Sequence, residues 1–209
     1  MSARPVLLGR SSSHFTRVAR LLAHELAVEH DFSPVYEIGS TEARTFGDNP
    51  SLRVPSLRTE AGTWFGSMNV CRELARRAPR RLRVVWPEEH TDLAAANAFE
   101  LVTEGMAAEV QIVMGKAAGL AADHPFLVKP LARIRGSLDY LEANLPAVLA
   151  SLPPRDTSLL ETMTFCYGEH LEFREILSIA DRPRLSAFVR EWAQRSSALA
   201  TPYGFDRPA

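Results

Sequence analysis

Three consecutive serines, Ser11, Ser12 and Ser13, follow a short apolar run and precede a stretch with helical periodicity. A serine hydroxyl just before a helix can cap the helix by accepting a hydrogen bond from a main-chain N–H group. The same helix end carries a positive partial charge and main-chain donors, which favour a bound anion. Taken alone, the pattern is typical of an ordinary helix cap, and it also fits a hydroxyl that meets a negatively charged ligand.

The cysteine and histidine patterns argue against redox and metal chemistry. Only two cysteines occur, Cys71 and Cys166, and they are far apart. A disulfide framework, an iron–sulfur site and a Cys-x-x-Cys redox pair are therefore not expected, and both side chains should be small buried groups. Glu169 and His170 form no His-Glu-x-x-His or similar arrangement, so no metal site is predicted.

Composition and charge exclude several classes of protein. Of the 209 residues, 46% are hydrophobic and 23% are charged, and the formal net charge is -1. A nucleic-acid-binding protein would normally show a basic excess. No apolar run approaches the roughly 20 residues of a membrane-spanning helix. The first ten residues lack the long apolar core of a signal peptide, so we expect a cytoplasmic protein.

The first part of the chain alternates between strand and helix patterns. Apolar runs predict strands at 5–9 and 34–38, with a helix between them. The apolar stripe of that helix includes Val18 and Leu22, and its opposite, polar face carries Arg17 and Arg20. A loop covers 39–49, and two short runs around Ala61-Gly62 predict a β-hairpin. A further helix follows Ser67, which could cap it, and ends at Pro79. The predicted order is β-α-β, a loop, then β-β-α.

The rest of the chain is helical in pattern. The arginine-rich segment at 80–90 is interpreted as a linker whose basic side chains are solvated. Helices are predicted at 91–119, 126–150, 158–172 and 183–200, the second one kinked or entered at Pro130, with an irregular end at 201–209. The interpretation is an α/β domain at 1–79, a linker at 80–90 and an all-helical domain at 91–209.

Five local motifs follow one another along the chain: SHFTR at 13–17, NPSLRVPSL at 49–57, FGSMNV at 65–70, SLLE at 158–161, and RPRL at 182–185 with Trp192 and Arg195. Their order and spacing resemble those of soluble glutathione transferases of the serine type found in bacteria and plants. The segment 13–17 (SHFTR) is similar to the Ser-Pro-Phe/Tyr-x-Arg that starts the first helix of that family, with His14 in place of proline. The segment 49–57 (NPSLRVPSL) is similar to the family's Asn-Pro…Val-Pro-x-Leu. The other three segments, of which SLLE is a capping box, are further matches.

The resemblance implies a thioredoxin-like domain followed by an all-helical domain. It also implies transfer of the glutathione thiolate to small, largely apolar electrophiles, a detoxifying conjugation that uses glutathione as substrate and no metal. By the first motif Ser13 is the catalytic hydroxyl, and Ser11 and Ser12 are rivals because the serine run leaves the alignment open. The implied glutathione-binding residues are Arg53, Val54, Pro55, Gly66 and Ser67.

Each implied role has its own chemical reason. A hydroxyl at a helix N-terminus can lower a thiol pKa that is ordinarily about 8.5. Val54 would pair with the main chain of the ligand as an added strand, beside a cis Pro55. Ser67 would bind the γ-glutamyl carboxylate, and Arg53 would lie near the glycine carboxylate or be a solvated surface charge.

Gly66 departs from the family pattern, in which Glu or Asp binds the ligand's α-amino group. Losing one charge-assisted hydrogen bond costs about 1.5–3 kcal/mol, or roughly tenfold or more in affinity. Either another acid takes this role or glutathione binds weakly. The alternative function is therefore a transferase-like binding or scaffold protein with weak or no catalysis. Reductase chemistry is disfavoured because residues 10–17 contain no thiol.

The resemblance also implies a homodimer and a second-substrate pocket between the domains. The partners would be glutathione and a small electrophile, with no nucleic acid and no membrane. The side chains proposed to line this pocket are Met106, Val110, Met114, Tyr167 and Phe205. Apolar residues on a helix belong more often to the core than to a pocket, so these assignments are interpretations of the pattern.

Overall fold

The computed structural model describes residues 4–207. These divide into two compact units, one formed by the chain up to Leu82 together with the stretch from Arg195 onward, the other by Arg83–Gln194. The sequence-based domain boundaries at 1–79, 80–90 and 91–209 stay a prediction, and their outer ends lie outside the described residues.

A four-stranded mixed sheet forms the centre of the first unit. Its strands are β1 (Val6–Gly9), β2 (Asp31–Pro34), β3 (Ser56–Thr59) and β4 (Gly62–Phe65), in the order β2-β1-β3-β4. β1 runs parallel to β2 and antiparallel to β3, and β3 is antiparallel to β4. Two helices complete the unit's β-α-β-loop-β-β-α order, α1 (His14–Glu25) and α2 (Ser67–Arg77). This order confirms the predicted thioredoxin-like arrangement.

The second strand lies earlier than predicted. It was expected at 34–38, but the register from Val6↔Asp31 to Gly9↔Pro34 places it at Asp31–Pro34. Val35 lies after the strand and is buried in a cluster with Leu8 and Phe46. The apolar signal that predicted a strand comes from a loop that packs on the sheet.

The predicted hairpin is confirmed, with Thr59 paired to Gly62 across the turn. The N-cap of the helix that follows the hairpin lies one residue earlier than expected. Gly66 occupies the N-cap position and Ser67 is the first helical residue, so Ser67 does not cap α2. The helix ends at Arg77, close to the predicted stop at Pro79.

The second unit is a helical assembly with one small strand pair. Its helices are α3 (Leu93–Ala117), α4 (Pro125–Ser151), α5 (Leu159–Phe173) and α6 (Pro183–Trp192). The two strands, β5 (Val84–Val85) and β6 (Thr157–Ser158), pair in parallel and were not predicted. Pro130 lies inside α4 and Pro125 begins the helix.

The capping box at the start of α5 has the predicted form. The Ser158 hydroxyl accepts from the main-chain N–H of Glu161 at 3.0 Å and donates to the Glu161 carboxylate at 2.7 Å. Arg155 pairs with the same carboxylate at 2.7 Å. These contacts fix the start of a helix whose Phe165 stacks on Trp192 of α6, with ring centroids 5.0 Å apart.

The final predicted helix is broken. It was expected to run from 183 to 200, but α6 stops at Trp192 and a separate helix, α7 (Ser196–Ala200), follows. α7 belongs to the first unit, where Arg195 and Ser197 both bind the carboxylate of Glu25. Within residues 4–207, no helix combines the length and apolar character that crossing a membrane requires.

Candidate functional site

Several of the residues singled out from the sequence lie at one edge of the sheet in the first unit. β1 and β4 end at this edge and β3 begins there, because Leu8 pairs with Ser56 and Ser56 pairs with Phe65. The three serines follow β1, Val54-Pro55 precedes β3, and Gly66-Ser67 follows β4. The main-chain N–H of Gly66 donates to the Pro55 carbonyl at 3.0 Å, which ties two of these segments together.

The serine loop, Arg10–Ser13, is a tight connection between β1 and α1. A side chain at Gly9 would come within 2.3 Å of Thr16, so only glycine allows the strand to approach the helix this closely. The main-chain N–H of Arg10 donates to the Thr16 hydroxyl at 3.3 Å, and that of Ser13 donates to the Arg10 carbonyl at 3.0 Å. These bonds hold the two ends of the loop.

Ser13 is the N-cap of α1, with an extended backbone and a half-buried side chain. Its hydroxyl oxygen accepts from the main-chain N–H of Thr16 at 3.3 Å. This contact uses an acceptor of the hydroxyl and leaves its O–H group as a donor. A helix cap and a hydrogen bond to an anion are therefore compatible at this one side chain.

The rival serines have different surroundings. Ser12 is only 2% exposed, so its hydroxyl points away from solvent. Ser11 is half-buried, and its hydroxyl accepts from the Arg20 guanidinium at 3.3 Å. The main-chain N–H of Ser11 donates to the Asp206 carboxylate at 2.8 Å.

Two arginines on α1 add positive charge behind the serine loop. Arg17 was expected on the helix's polar face, but it is only 3% exposed. The expectation fails because the chain end returns to cover it, and the guanidinium lies over the Tyr203 ring at 4.2 Å. Burial lowers the pKa of Arg20, while Asp206 opposes that shift and Arg17 reinforces it. Both side chains stay cationic at neutral pH.

Val54 presents unused main-chain groups at the site. Among the described residues its N–H and C=O make no hydrogen bond, although its side chain packs against the Leu8, Val35 and Phe46 cluster. The Val54-Pro55 peptide is cis, which confirms the prediction. Asn49 is buried and donates to the Arg53 carbonyl at 2.9 Å, which shapes the approach to this segment.

Gly66 and Ser67 form the start of α2. The backbone of Gly66 has φ of 78° and ψ of 151°, a region that glycine alone adopts readily. A β-carbon at this position would meet no atom within 4 Å, so the restriction is one of backbone conformation. Gly66 has no side chain to cap α2, which leaves the first N–H groups of the helix to another acceptor.

The remaining candidates are more dispersed. The Arg53 side chain is exposed. In the second unit Met106 and Tyr167 are fully buried, and the Tyr167 hydroxyl donates to the Ile134 carbonyl at 3.3 Å. Val110 and Met114 are 42% and 47% exposed on α3, and Phe205, in the first unit, is 62% exposed.

Sequence reasoning missed two residues that contact the serine loop. Arg20 was assigned only to a polar helix face, and Asp206 to an irregular chain end. Ser11 and Asp206 are 195 residues apart, and no local pattern reports such a contact. The aspartate could have been suspected only from its place in the aromatic and charged sequence YGFDR at 203–207.

No family model matches the chain, and no curated protein matches it. Solved structures do. A glutathione transferase from Methylobacillus flagellatus KT with bound glutathione is 22% identical, with a TM-score of 0.77, covering 96% of this chain and 100% of its own. A glutathione transferase family member from Pseudomonas fluorescens Pf-5, with bound glutathione, is 24% identical, with a TM-score of 0.76, covering 96% and 99%.

A plant structure extends the same likeness. Glutathione transferase F7 from Populus trichocarpa is 17% identical, with a TM-score of 0.68, covering 94% of this chain and 97% of its own. At these identities the likeness concerns the fold, and it spans nearly the whole of each chain. The chain therefore has the fold of the soluble glutathione transferases of bacteria and plants.

Proposed function

We propose that this protein is a glutathione transferase that joins the glutathione sulfur to small apolar electrophiles. The observation that carries the proposal is the edge of the first unit's sheet, where Ser13, the unused main chain of Val54 and the start of α2 lie on adjacent segments. Ser13 would offer a donor for a thiolate, the Val54 main chain a partner for a peptide backbone, and the start of α2 a site for a carboxylate. Glutathione carries all three groups.

Thiolate stabilisation would come from Ser13 and its surroundings. The Ser13 O–H group remains a donor while its oxygen caps α1. The N-terminus of α1 adds a positive partial charge, and Arg17 and Arg20 add full charges behind it. All of these favour the anion over the thiol and would lower its pKa. The thiolate would then attack the electrophile, form a sulfur–carbon bond and release the leaving group.

The rest of the tripeptide would be held by main-chain contacts. Val54 would pair with the main chain of the ligand's cysteine as an added strand does. The start of α2, including the Ser67 hydroxyl, would hold the γ-glutamyl carboxylate. Pro55 and Gly66 shape the segments that carry these groups, and Arg53 would attract the glycine carboxylate.

The electrophile would be selected by apolar side chains. Val110 and Met114 offer exposed apolar surface one turn apart on α3, and Phe205 offers more on the first unit. Met106 and Tyr167 would support the α3 surface from beneath, since a β-carbon at Gly105 would come within 2.5 Å of the Tyr167 hydroxyl oxygen. By its likeness to soluble transferases we also propose a cytoplasmic homodimer.

Gly66 favours a second candidate function, a glutathione-transferase-like binding or scaffold protein with weak or no catalysis. The backbone conformation at this position would strain any side chain, including the acidic one that would pair with the ligand's α-amino group. The two functions differ in turnover, because a binding protein would retain its ligand without conjugating it.

The test is calorimetric titration with reduced glutathione, followed by a conjugation assay with an aryl halide. The variants are Ser13→Ala, with Ser12→Ala as the matched control in the same loop and Ser11→Ala as the test of the rival serine. The proposal predicts binding at micromolar to low-millimolar concentration, turnover that falls by about a hundredfold in Ser13→Ala and little change in Ser12→Ala.

The other possible results of these measurements distinguish the two functions and the rival serines. Binding without turnover would favour the scaffold function. Turnover lost in Ser11→Ala instead would move the catalytic role to that serine. No heat and no turnover at roughly ten millimolar glutathione would contradict both functions.

A further inference from the structure

The end of the chain is held against the segments that form the candidate site, all within the first unit. We call Tyr203–Arg207 the tail. Its Tyr203 ring lies 4.2 Å from the Arg17 guanidinium, and its Arg207 carbonyl accepts from the Tyr36 hydroxyl at 3.1 Å. Asp206, between these anchors, binds the main-chain N–H of Ser11 at 2.8 Å.

The bond between Asp206 and Ser11 is well placed to fix the serine loop. Arg10 and Ser13 are each held by Thr16, the first through the Thr16 hydroxyl and the second through its main-chain N–H. Ser11 lies between these two points, and its N–H is held by the tail. A carboxylate acceptor makes this bond stronger than one to a neutral group.

Arg20 joins the same arrangement from the other side. Its guanidinium donates to the Ser11 hydroxyl at 3.3 Å and attracts the Asp206 carboxylate. Ser11 is thus bound through its main chain by the acid and through its side chain by the base. Because the two charged groups attract each other, loss of either one loosens the other's hold on the loop.

We propose that Asp206 is a positioning residue that holds the serine loop in the conformation that directs the Ser13 hydroxyl at its ligand. Its hold on the loop does not depend on whether the protein is an enzyme, whereas its effect on catalysis rests on the proposed transferase function. Displacing a catalytic group by about 1 Å can cost on the order of a hundredfold in rate, so a distant anchor can matter as much as a contact residue.

The variants are Asp206→Ala, Asp206→Asn and a control, Asp123→Ala. Alanine removes both the acceptor and the charge, whereas asparagine keeps an acceptor oxygen for the Ser11 N–H. Asp123 is an exposed aspartate in the second unit. Asparagine at 206 is the milder change and serves if the alanine variant folds poorly.

The first measurement is amide hydrogen exchange in the serine loop of the full-length protein without ligand. The proposal predicts that exchange at Ser11 accelerates by about tenfold or more in Asp206→Ala, less in Asp206→Asn and not in Asp123→Ala. Unchanged exchange at 10–13 in Asp206→Ala overturns the proposal, whether or not the protein conjugates glutathione.

The second measurement is the pH profile of kcat/KM with glutathione and an aryl halide. We expect Asp206→Ala to lower kcat by about tenfold or more, to leave the KM for the aryl halide unchanged and to shift the profile's lower limb to higher pH, with partial rescue by asparagine. A profile and kcat equal to wild type would overturn the positioning role. Inactivity of the wild type would instead overturn the proposed function, and the exchange result would still decide whether Asp206 holds the loop.

Discussion

At the scale of single residues, Ser13 caps α1 and still has an O–H group that could donate to a ligand. Its oxygen accepts from the Thr16 N–H, and its O–H group is left to donate. The same residue in an ordinary cap has no use for that donor. The motif in the sequence pointed to Ser13, whereas the burial of Ser12 and the contacts of Ser11, which also favour Ser13, are visible only in the structure.

Gly66 leads to a prediction about affinity. A glutamate at this position would add a counter-charge for the ligand's α-amino group, while any side chain would strain the backbone by about 1–3 kcal/mol. We therefore compare Gly66→Glu with Gly66→Gln, which carries the same strain without the charge. Glutathione should bind about tenfold more tightly to the glutamate variant than to the glutamine variant.

Calorimetry on the two variants measures this difference directly. Equal dissociation constants would mean that another acid already binds the α-amino group. Tighter binding by Gly66→Glu than by the natural protein would show that the missing charge limits affinity despite the strain.

At the scale of elements, a buried carboxylate joins α3 to α5 in the second unit. Glu109 has no exposed surface and is hydrogen-bonded to Nδ1 of His170, whose Nε2 accepts from Arg174 at 3.4 Å. Burial raises the pKa of Glu109 well above its ordinary range, and the attraction of Arg174 opposes this only in part. The folded state therefore retains a proton that the unfolded chain has already lost.

The sign of the pH dependence follows from that proton. Above the unfolded pKa of about 4.3, raising the pH lowers the free energy of unfolding until the folded pKa is passed. Glu109→Gln keeps an acceptor for His170 but has no proton to lose. From about pH 5 to 8 the natural protein should therefore lose stability relative to this variant, because its folded state holds the Glu109 proton that the unfolded chain gives up.

Denaturant unfolding of both proteins across that range provides the measurement. The Glu109→Gln variant keeps the contact with His170 and leaves Arg174 in place. Parallel curves over the whole range would contradict a protonated Glu109.

Elements that depend on local sequence patterns could be predicted, whereas elements that depend on contacts between distant residues could not. The hairpin and the capping box of α5 depend on local turn and cap chemistry, and both were confirmed. The second strand was misplaced because Val35 is apolar for packing in a loop. The break between α6 and α7 was missed because it arises from contacts of Arg195 and Ser197 with Glu25, which lies about 170 residues away.

At the scale of the whole molecule, the return of the chain end to the first unit has a measurable energetic signature. Burial favours the protonated form of Glu25, but hydrogen bonds from Arg195 and Ser197 outweigh it and hold its pKa below the ordinary value. This contribution to stability is present above the unfolded pKa of about 4.3 and is lost as the pH falls through the folded pKa.

Glu25→Gln should therefore destabilise the protein by about 1–2 kcal/mol near neutral pH, an amount reduced by the partial exposure of Arg195. The difference from the natural protein should shrink towards zero as the pH falls below about 4. Chemical unfolding of the two proteins near neutral pH and below about pH 4 measures this difference in stability. A destabilisation that is equal at the two pH values would mean that Glu25 contributes by packing and not by charge.

We propose that the first unit binds glutathione and ionises its thiol. The most direct measurement is the pKa of the bound thiol, followed by the ultraviolet absorbance of the thiolate as the pH of the complex is varied. We expect a pKa below that of a free thiol, about 8.5, in the natural protein and a return towards that value in Ser13→Ala. A bound thiol that titrates like free glutathione in both proteins would contradict the proposal.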